Sequence, residues 1–165
     1  MFLQTRRLYL RNLRPEDLDA VYAYRNDPEC AIYQRWEDTS RVEIARFLDR
    51  FRSCRFLSEE EEQHYAVCLR DGPLTGDISY FYTEADRCIT LGITIAPQYQ
   101  GQGIAREILG AVIAAIQKQH PHLDIVALID PENERSIRLF EALGFCRECY
   151  AESIRSCVYI IDGTR

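Results

Sequence analysis

The sequence predicts a mixed fold of the α/β (α+β) type, a mostly antiparallel central sheet of about seven strands flanked by about four helices. Three observations carry this prediction. Three strand-like segments separated by turn signals occupy the middle of the chain. A long apolar helix pattern then begins directly after a turn with two glycines. The remainder alternates strand, helix and two final strands, which indicates a mixed sheet and not a doubly wound parallel one.

The N-terminal part predicts one strand and two helices. Residues 8–13 alternate apolar and polar side chains, as a half-buried strand does. A helix opens at Pro15, with acidic residues in its first turn, and ends at Asn26-Asp27-Pro28. A second helix is predicted over 40–53, where apolar residues recur at helical spacing.

The rest of the chain predicts three antiparallel strands and then helices interleaved with strands. Asp71-Gly72-Pro73 and the polar stretch 83–87 supply the turns between the strands. Gly144 is placed to end the last helix. The predicted strands are 64–70, 74–82, 88–96, 124–130, 145–150 and 155–161, and the predicted helices are 102–119 and 133–143.

Length and composition indicate one globular domain over residues 1–165, with 47% hydrophobic and 28% charged residues. The longest uncharged apolar stretch, 108–116, is far shorter than the ~20 residues that cross a bilayer, so no membrane association is expected. The N-terminus has no secretory pattern, which makes a cytoplasmic location the expectation. A net charge of −6 argues against nucleic acid as a partner. This negative charge could attract a cationic amine as a substrate, or it could serve solubility alone.

The seven cysteines do not predict a disulfide framework or a metal site. Their number is odd, and the three histidines show no matching ligand spacing. Cys146 and Cys149 have a metal-like spacing, but residues three apart on a regular strand face opposite sides. We therefore expect no metal.

The most informative segment is 91–105, where a strand leads through Pro97 into the glycine turn and then a helix. Backbone N–H groups at a helix start lack partners, and the helix dipole adds positive potential, so this arrangement binds phosphate without lysine. A turn without a ligand is one alternative. A dinucleotide fingerprint is another, but its third glycine position is Arg106 and no βαβ unit surrounds it.

Two motifs in order resemble the GNAT superfamily of N-acetyltransferases. Gln100-Gly101-Gln102-Gly103-Ile104-Ala105 fits that family's Gln/Arg-x-x-Gly-x-Gly/Ala motif. Residues 133–145 fit its Asn-x-x-Ser/Ala-x-x-Leu-Tyr/Phe-x-x-x-Gly-Phe motif at every marked position. The segments 5–11 and 26–28 further resemble the branch that acetylates ribosomal-protein N-termini. The resemblance covers nearly the whole chain and implies a GNAT-like fold.

The resemblance implies acetyl-CoA as cosubstrate, lying between two parted strands. The backbone of Ile93, Thr94 and Ile95 would bind its pantetheine arm, and the amides of 101–106 its pyrophosphate. Asn133 would contact the arm from the other side, although capping of a helix alone, with Ser136 following, explains it equally well. The coenzyme-contacting set implied is Ile93, Thr94, Ile95, Gln100, Gly101, Gln102, Gly103, Ile104, Ala105, Arg106, Asn133, Ser136 and Phe140.

The implied reaction is direct attack of a primary amine on the thioester, with a general base to remove a proton. The sequence departs from the family at two positions. Phe140 stands where a thiolate-protonating tyrosine is frequent, and Thr90 where glutamate is frequent. The candidate bases are Tyr80, Asp77 and Glu37; a water relay, or positioning alone, would also serve.

The segment 33–38 corresponds to the acceptor pocket of the family. Tyr33 and Trp36 are the candidate walls of that pocket, unless they only cover the edge of the core. The acceptor could be a protein N-terminus or a small-molecule amine. The final strands can pair between subunits in this family, which is compatible with a homodimer. Phe140 and Thr90 also keep open a different function, a non-catalytic acyl-CoA-binding protein, and a regulatory nucleotide binder is a third hypothesis.

Overall fold

One sheet of eight strands organises the described chain, which in this computed structural model is residues 1–37, 39–59 and 62–164. The strand order is β1-β2-β3-β4-β5-β6-β8-β7, and every neighbouring pair is antiparallel except β5 and β6. This confirms the mixed, mostly antiparallel sheet. The strands are β1 Leu3–Gln4, β2 Leu8–Asn12, β3 Glu62–Leu69, β4 Leu74–Thr83, β5 Cys88–Ile95, β6 Asp124–Ile129, β7 Cys146–Ala151 and β8 Ser156–Ile161.

The α-helices of the described residues are α1 Leu18–Arg25, α2 Pro28–Ala31, α3 Arg41–Arg50, α4 Ile104–Gln119 and α5 Glu134–Ala142. Strand β1 and helix α2 are additions to the predicted elements. With two and four residues they are too short to show a hydrophobic period. Asp27 begins α2 by accepting hydrogen bonds from the backbone of Glu29 and Cys30. None of the helices in the described ranges combines the length and the apolar surface that crossing a membrane requires.

The two faces of β4 separate the predicted catalytic residues. Side chains alternate along a strand, so Asp77 and Tyr80 point to opposite faces of the sheet. Asp77 faces α1, where Tyr24 donates a hydrogen bond to it. Tyr80 faces the other side, where its ring lies 6.1 Å from that of Tyr65.

Strands β5 and β6 pair over part of their length and then separate. Their parallel register joins Cys88–Thr90 of β5 to Asp124–Val126 of β6 and, within the described residues, goes no further. From Leu91 to Ile95, β5 continues to pair with β4 on its other side. The β6 side of this segment is therefore open, as the resemblance implied, and it forms one wall of a cleft.

The structure of β7 corrects one prediction, namely that Cys146 and Cys149 face opposite sides of the sheet. A β-bulge lies between Arg147 and Cys149, so that Cys146 pairs with Ile160 and Cys149 with Val158. Because those partners are two residues apart, the two cysteines share one face of the sheet; the bulge shifts the alternation that a regular strand would have. Within the described ranges, no three His, Cys, Asp or Glu side chains are arranged to bind a metal ion.

Candidate active site

The turn before α4 presents unpaired backbone amides. Gly101 has φ +73° and Gly103 φ +76°, a left-handed conformation that side-chain-bearing residues rarely adopt. The first intrahelical bond runs from the N–H of Glu107 to the carbonyl of Gly103. The N–H groups of residues 104–106 precede that bond and have no helical partner, and no side chain caps the N-terminus. The turn therefore has the donors and the dipole of an anion site.

Two arginines outside the turn fix its shape. Arg7 donates to the carbonyl of Gln102 at 3.0 Å and forms an ion pair with Glu107 at 2.6 Å. Burial alone raises the pKa of Glu107, but hydrogen bonds from Thr5 and Arg7 outweigh it and lower this pKa to about 2. Arg135 donates to the side chain of Gln100 at 2.6 Å. With Arg106, these residues place cations around the turn; the motif contained Arg135 but gave no sign of this contact.

A cleft of about 410 Å³ extends from the glycine turn along the open side of β5. Every residue predicted to contact the coenzyme lines it, except Gln102 and Phe140. Gln102 is exposed and donates to the carbonyl of Gln98. Phe140 is buried in an adjoining cavity. The lining also includes residues that the sequence did not single out for this role, namely Glu29, Cys30, Tyr33, Gln34, Tyr99, Arg135 and Leu139.

Asn133 caps helix α5 and lines the cleft at the same time. Its side chain accepts a hydrogen bond from the N–H of Ser136 at 3.2 Å, which confirms the capping interpretation. Both residues belong to the cleft wall. A contact with a ligand remains a prediction.

The cleft leads into a second, smaller cavity, which we name the junction. It has a volume of about 140 Å³ and shares Ile93, Thr94, Asn133 and Ser136 with the cleft. Its far wall is formed by Asp77, Ser79 and His64. The junction thus connects the open side of β5 with the face of the sheet that α1 covers.

A third cavity, which we name the chamber, lies beyond the junction and has a volume of about 560 Å³. Trp36, His64 and Ser79 line both the junction and the chamber. Its lining is Arg25, Arg35, Trp36, Glu43, Arg46, Phe47, Arg50, Phe51, Glu62, His64, Ser79 and Phe81. The three cavities therefore adjoin one another through shared walls, and His64 lies where the last two meet, at a point that we name the passage.

His64 is central to a buried polar network. Its Nδ1 lies 3.3 Å from Asp77 Oδ2, and its Nε2 lies 3.2 Å from Glu62 Oε1. Tyr24 donates to the other oxygen of Asp77 at 2.5 Å. The His64 ring packs edge-on against Phe47, with ring centroids 4.8 Å apart. Packing and two carboxylates thus fix the orientation of the imidazole.

The pKa shifts of this network reflect an imidazole held between two carboxylates. Burial alone lowers the pKa of His64, but hydrogen bonds with Asp77 and Glu62 outweigh it, so the pKa is raised. Burial alone raises the pKa of Asp77, but its bond with His64 and the nearby charge of Arg25 lower it. The hydrogen bond with His64 is the main cause of the lowered pKa of Glu62.

The three candidate bases lie in different places. Asp77 lines the junction, as part of the His64 network. Tyr80 is buried on the opposite face, where burial raises the pKa of its hydroxyl, and it lines none of the three cavities. Glu37 is exposed and also outside the three linings. Asp38, its neighbour, lies outside the described residues.

The two aromatic candidates for the acceptor pocket belong to different cavities. Trp36 lines the chamber and the junction, with the guanidinium of Arg25 5.4 Å from its ring centre. Tyr33 lines the cleft and the junction, and its hydroxyl donates to the carbonyl of Glu132 at 3.1 Å. Only Trp36 is thus at the chamber wall.

Comparisons with known proteins show the family and the fold. The sequence model of a family described as Acetyltransferase (GNAT) domain matches residues 7–146. The uncharacterized N-acetyltransferase YnaD of Bacillus subtilis (strain 168) is 26% identical over 149 residues, which are 90% of this chain and 84% of that protein.

Solved structures show the same fold. An acetyltransferase of the GNAT family from Bacillus anthracis superimposes with a TM-score of 0.81 at 22% identity, covering 98% of each chain. The spermidine N-acetyltransferase from Vibrio cholerae, solved in complex with CoA and spermine, superimposes with a TM-score of 0.73 at 21% identity. That match covers 93% of this chain and 92% of the other.

Proposed function

The chain belongs to the acetyltransferase (GNAT) domain family and is an N-acetyltransferase, and we propose that it moves an acetyl group from acetyl-CoA to a primary amine. One observation carries the proposal. A cleft that begins at an uncapped helix N-terminus continues along an open strand and meets a separate chamber at a buried histidine. Such a path accommodates two substrates that approach from opposite ends.

The residues of the cleft fit acetyl-CoA, which would supply a thioester. The free amides of residues 104–106 and the surrounding Arg7, Arg106 and Arg135 match a pyrophosphate. A Cβ built on Gly101 meets nothing closer than 3.9 Å, so the strained φ, and not space, is what favours glycine there. The open edge of β5 offers backbone groups to an amide-containing arm.

The reacting amine would lie in the passage beside His64. The imidazole accepts a proton from the ammonium, and the nitrogen lone pair then attacks the thioester carbon. As the C–N bond forms and the C–S bond breaks, sulfur leaves as a thiolate, and the second proton that the nitrogen loses on becoming an amide passes through water to that thiolate. No side-chain acid is needed for that step, because a thiol with a pKa of about 8.5 is a fair leaving group.

Asp77 and Glu62 act as positioning residues for His64 in this proposal. Asp77 fixes the imidazole from the Nδ1 side, and Tyr24 in turn fixes Asp77. Glu62 lies at the chamber side of the ring and fixes the imidazole from the Nε2 side. A cytoplasmic location, a single domain over 1–165 and pairing of two copies remain predictions of the sequence.

Thiol release from acetyl-CoA, measured with a panel of primary amines, tests the proposed function. We expect release that saturates with amine concentration and that is matched by acetylated product. Binding of CoA without turnover on any amine would contradict the proposal and favour a non-catalytic acyl-CoA binder. Stabilisation by NAD or ATP, but not by CoA, would favour a nucleotide binder.

A further inference from the structure

The chamber carries a local positive charge in an acidic chain. Its described lining has four arginines and two glutamates, whereas the whole sequence has a net charge of −6. We infer that the acceptor is a small primary amine that also carries a carboxylate, that is, an amino acid. This inference rests on the proposed function, since it names the substrate class of the same site.

The two glutamates of the chamber are already engaged. Glu43 accepts from the hydroxyl of Ser40 at 2.7 Å and from its N–H at 3.1 Å, as the second half of a capping box. Glu62 pairs with Arg50 at 2.7 Å and lies beside His64. Both carboxylates therefore already have partners within the fold, and Glu43 also interacts electrostatically with Arg46 without forming an ion pair.

Two arginines of the lining have no carboxylate within ion-pair distance among the described residues. The guanidinium of Arg35 donates to the backbone carbonyl of Ile154, which carries no charge. Arg46 forms no ion pair with any described side chain, and it lies four residues before Arg50 on the same face of α3. A substrate carboxylate is the complement that this wall lacks, and a guanidinium binds it in bidentate geometry.

The shape of the chamber separates the two ends of such a substrate. The amine belongs at His64, where chamber and junction meet. The rings of Trp36, Phe47 and Phe51 contribute apolar surface to the lining, suited to methylene groups. A volume of about 560 Å³ is within the range of small-molecule sites.

The same wall disfavours a second cationic group. A diamine or polyamine whose first nitrogen lies at His64 would direct its remote ammonium towards Arg46, where like charges repel. The acceptor class inferred here therefore differs from the spermidine named for one structural neighbour. It also differs from the cationic acceptor that the net charge alone allows.

A series of amines matched in length and different in remote charge tests the inference. For each chain length we compare an ω-aminocarboxylate, its carboxamide and the corresponding diamine, for example 4-aminobutanoate, 4-aminobutanamide and 1,4-diaminobutane. We expect kcat/KM to be at least about tenfold higher for the carboxylate than for the amide, and lowest for the diamine. Preferred turnover of the diamine or the amide overturns the inference and leaves the proposed function intact. No turnover of any amine overturns both.

Arg46→Gln provides the matching variant, and Arg52→Gln the control. Arg52 is an exposed arginine just beyond α3, paired with Asp49 and outside the chamber lining. We expect Arg46→Gln to raise KM for the carboxylate about tenfold, with KM for the amide unchanged. Arg52→Gln should change neither. An equal effect of Arg46→Gln on carboxylate and amide would contradict a contact with the carboxylate.

Discussion

At the scale of single residues, the chemistry proposed here depends on His64. Its side chain is 11% exposed, which limits its contact with solvent, and carboxylates lie near both ring nitrogens. Those carboxylates raise its pKa, so that at low pH the ring is an imidazolium and cannot accept a proton. Activity should therefore require a pH above the raised pKa.

The pH dependence of kcat at saturating amine tests this role. We expect kcat to rise with pH in one step whose midpoint lies above 6.5, the ordinary pKa of histidine. His64→Gln should lower kcat by about 10²–10⁴ and remove the step. His122→Gln, a change of an exposed histidine outside the three cavities, should leave both unchanged. A step that persists in His64→Gln would assign the titration to another group.

The free energy of unfolding should depend on the ion pair between His64 and Asp77. Folding raises the pKa of His64, so this contribution is complete below 6.5 and is lost as pH rises through the folded value. Folding lowers the pKa of Asp77, so its contribution is present above 3.8 and is lost as pH falls through the folded value. The interaction between His64 and Asp77 is therefore strongest between pH 3.8 and pH 6.5.

Asp77→Asn should reduce the free energy of unfolding by about 3–5 kcal/mol at pH 5.5, because it leaves the buried charge of His64 without one of its two carboxylate partners. Urea denaturation at pH 5.5 and again well above the raised pKa of His64 measures the effect. We expect a smaller deficit at the higher pH, where the imidazole is neutral. A deficit independent of pH would show that Asp77 stabilises the fold without the charge of His64.

At the scale of elements, the turn between β5 and α4 joins backbone conformation to ligand binding. Two glycines with positive φ direct the free amides of α4 towards the cleft. Any side-chain-bearing residue at Gly103 costs about 1–2 kcal/mol for the left-handed backbone. Such a residue should therefore displace the amides of residues 104–106 as well as lower the free energy of unfolding.

Gly103→Val should raise the Kd for CoA at least about tenfold, because the strained turn no longer aligns its amides. Gly110→Ala is the control within the same helix. A Cβ at Gly110 meets Leu143 at an ordinary 3.7 Å, and alanine should stabilise the helix by about 0.5–1 kcal/mol. Isothermal titration calorimetry measures both variants; an unchanged Kd in Gly103→Val would separate the turn from coenzyme binding.

The elements that the sequence predicts are those with enough residues to show a period. Strands β3, β4 and β5 and helix α4 follow their hydrophobic patterns closely. Strand β1 and helix α2 do not, since two and four residues cannot display alternation. The bulge in β7 also escaped prediction, because an extra residue on one strand is defined by its pairing partner and not by local pattern.

At the scale of the whole molecule, the candidate site combines residues that are neighbours in the sequence with residues that lie far apart in it. The cleft was predictable because its glycine turn and the capping Asn133 lie in contiguous motifs. The chamber was not, since its arginines come from three separate segments and are charged residues of a kind usually found on the surface. His64 escaped for a similar reason: its partner Asp77 lies across the β3–β4 register, and its aromatic neighbours lie on α3.

Coenzyme binding should stabilise the protein, because the cleft that would hold the ligand is lined by β5, the turn before α4 and helix α5. At a CoA concentration of 100 times Kd we expect a gain of about 2.7 kcal/mol, which corresponds to a rise in Tm of roughly 5–10 °C. Differential scanning calorimetry should show one transition, as a single domain does. NAD and ATP at equal concentration should shift Tm by less; an equal shift would favour general nucleotide binding.

The most direct test of the account is a crystal structure with CoA and an ω-aminocarboxylate. We predict the pyrophosphate on the amides of residues 104–106 and the sulfur in the junction, beside Asp77 and His64. The amine should lie at the passage between junction and chamber, with its carboxylate towards Arg46. A coenzyme whose sulfur lies outside the junction, or an amine that reaches it without passing His64, would contradict the account.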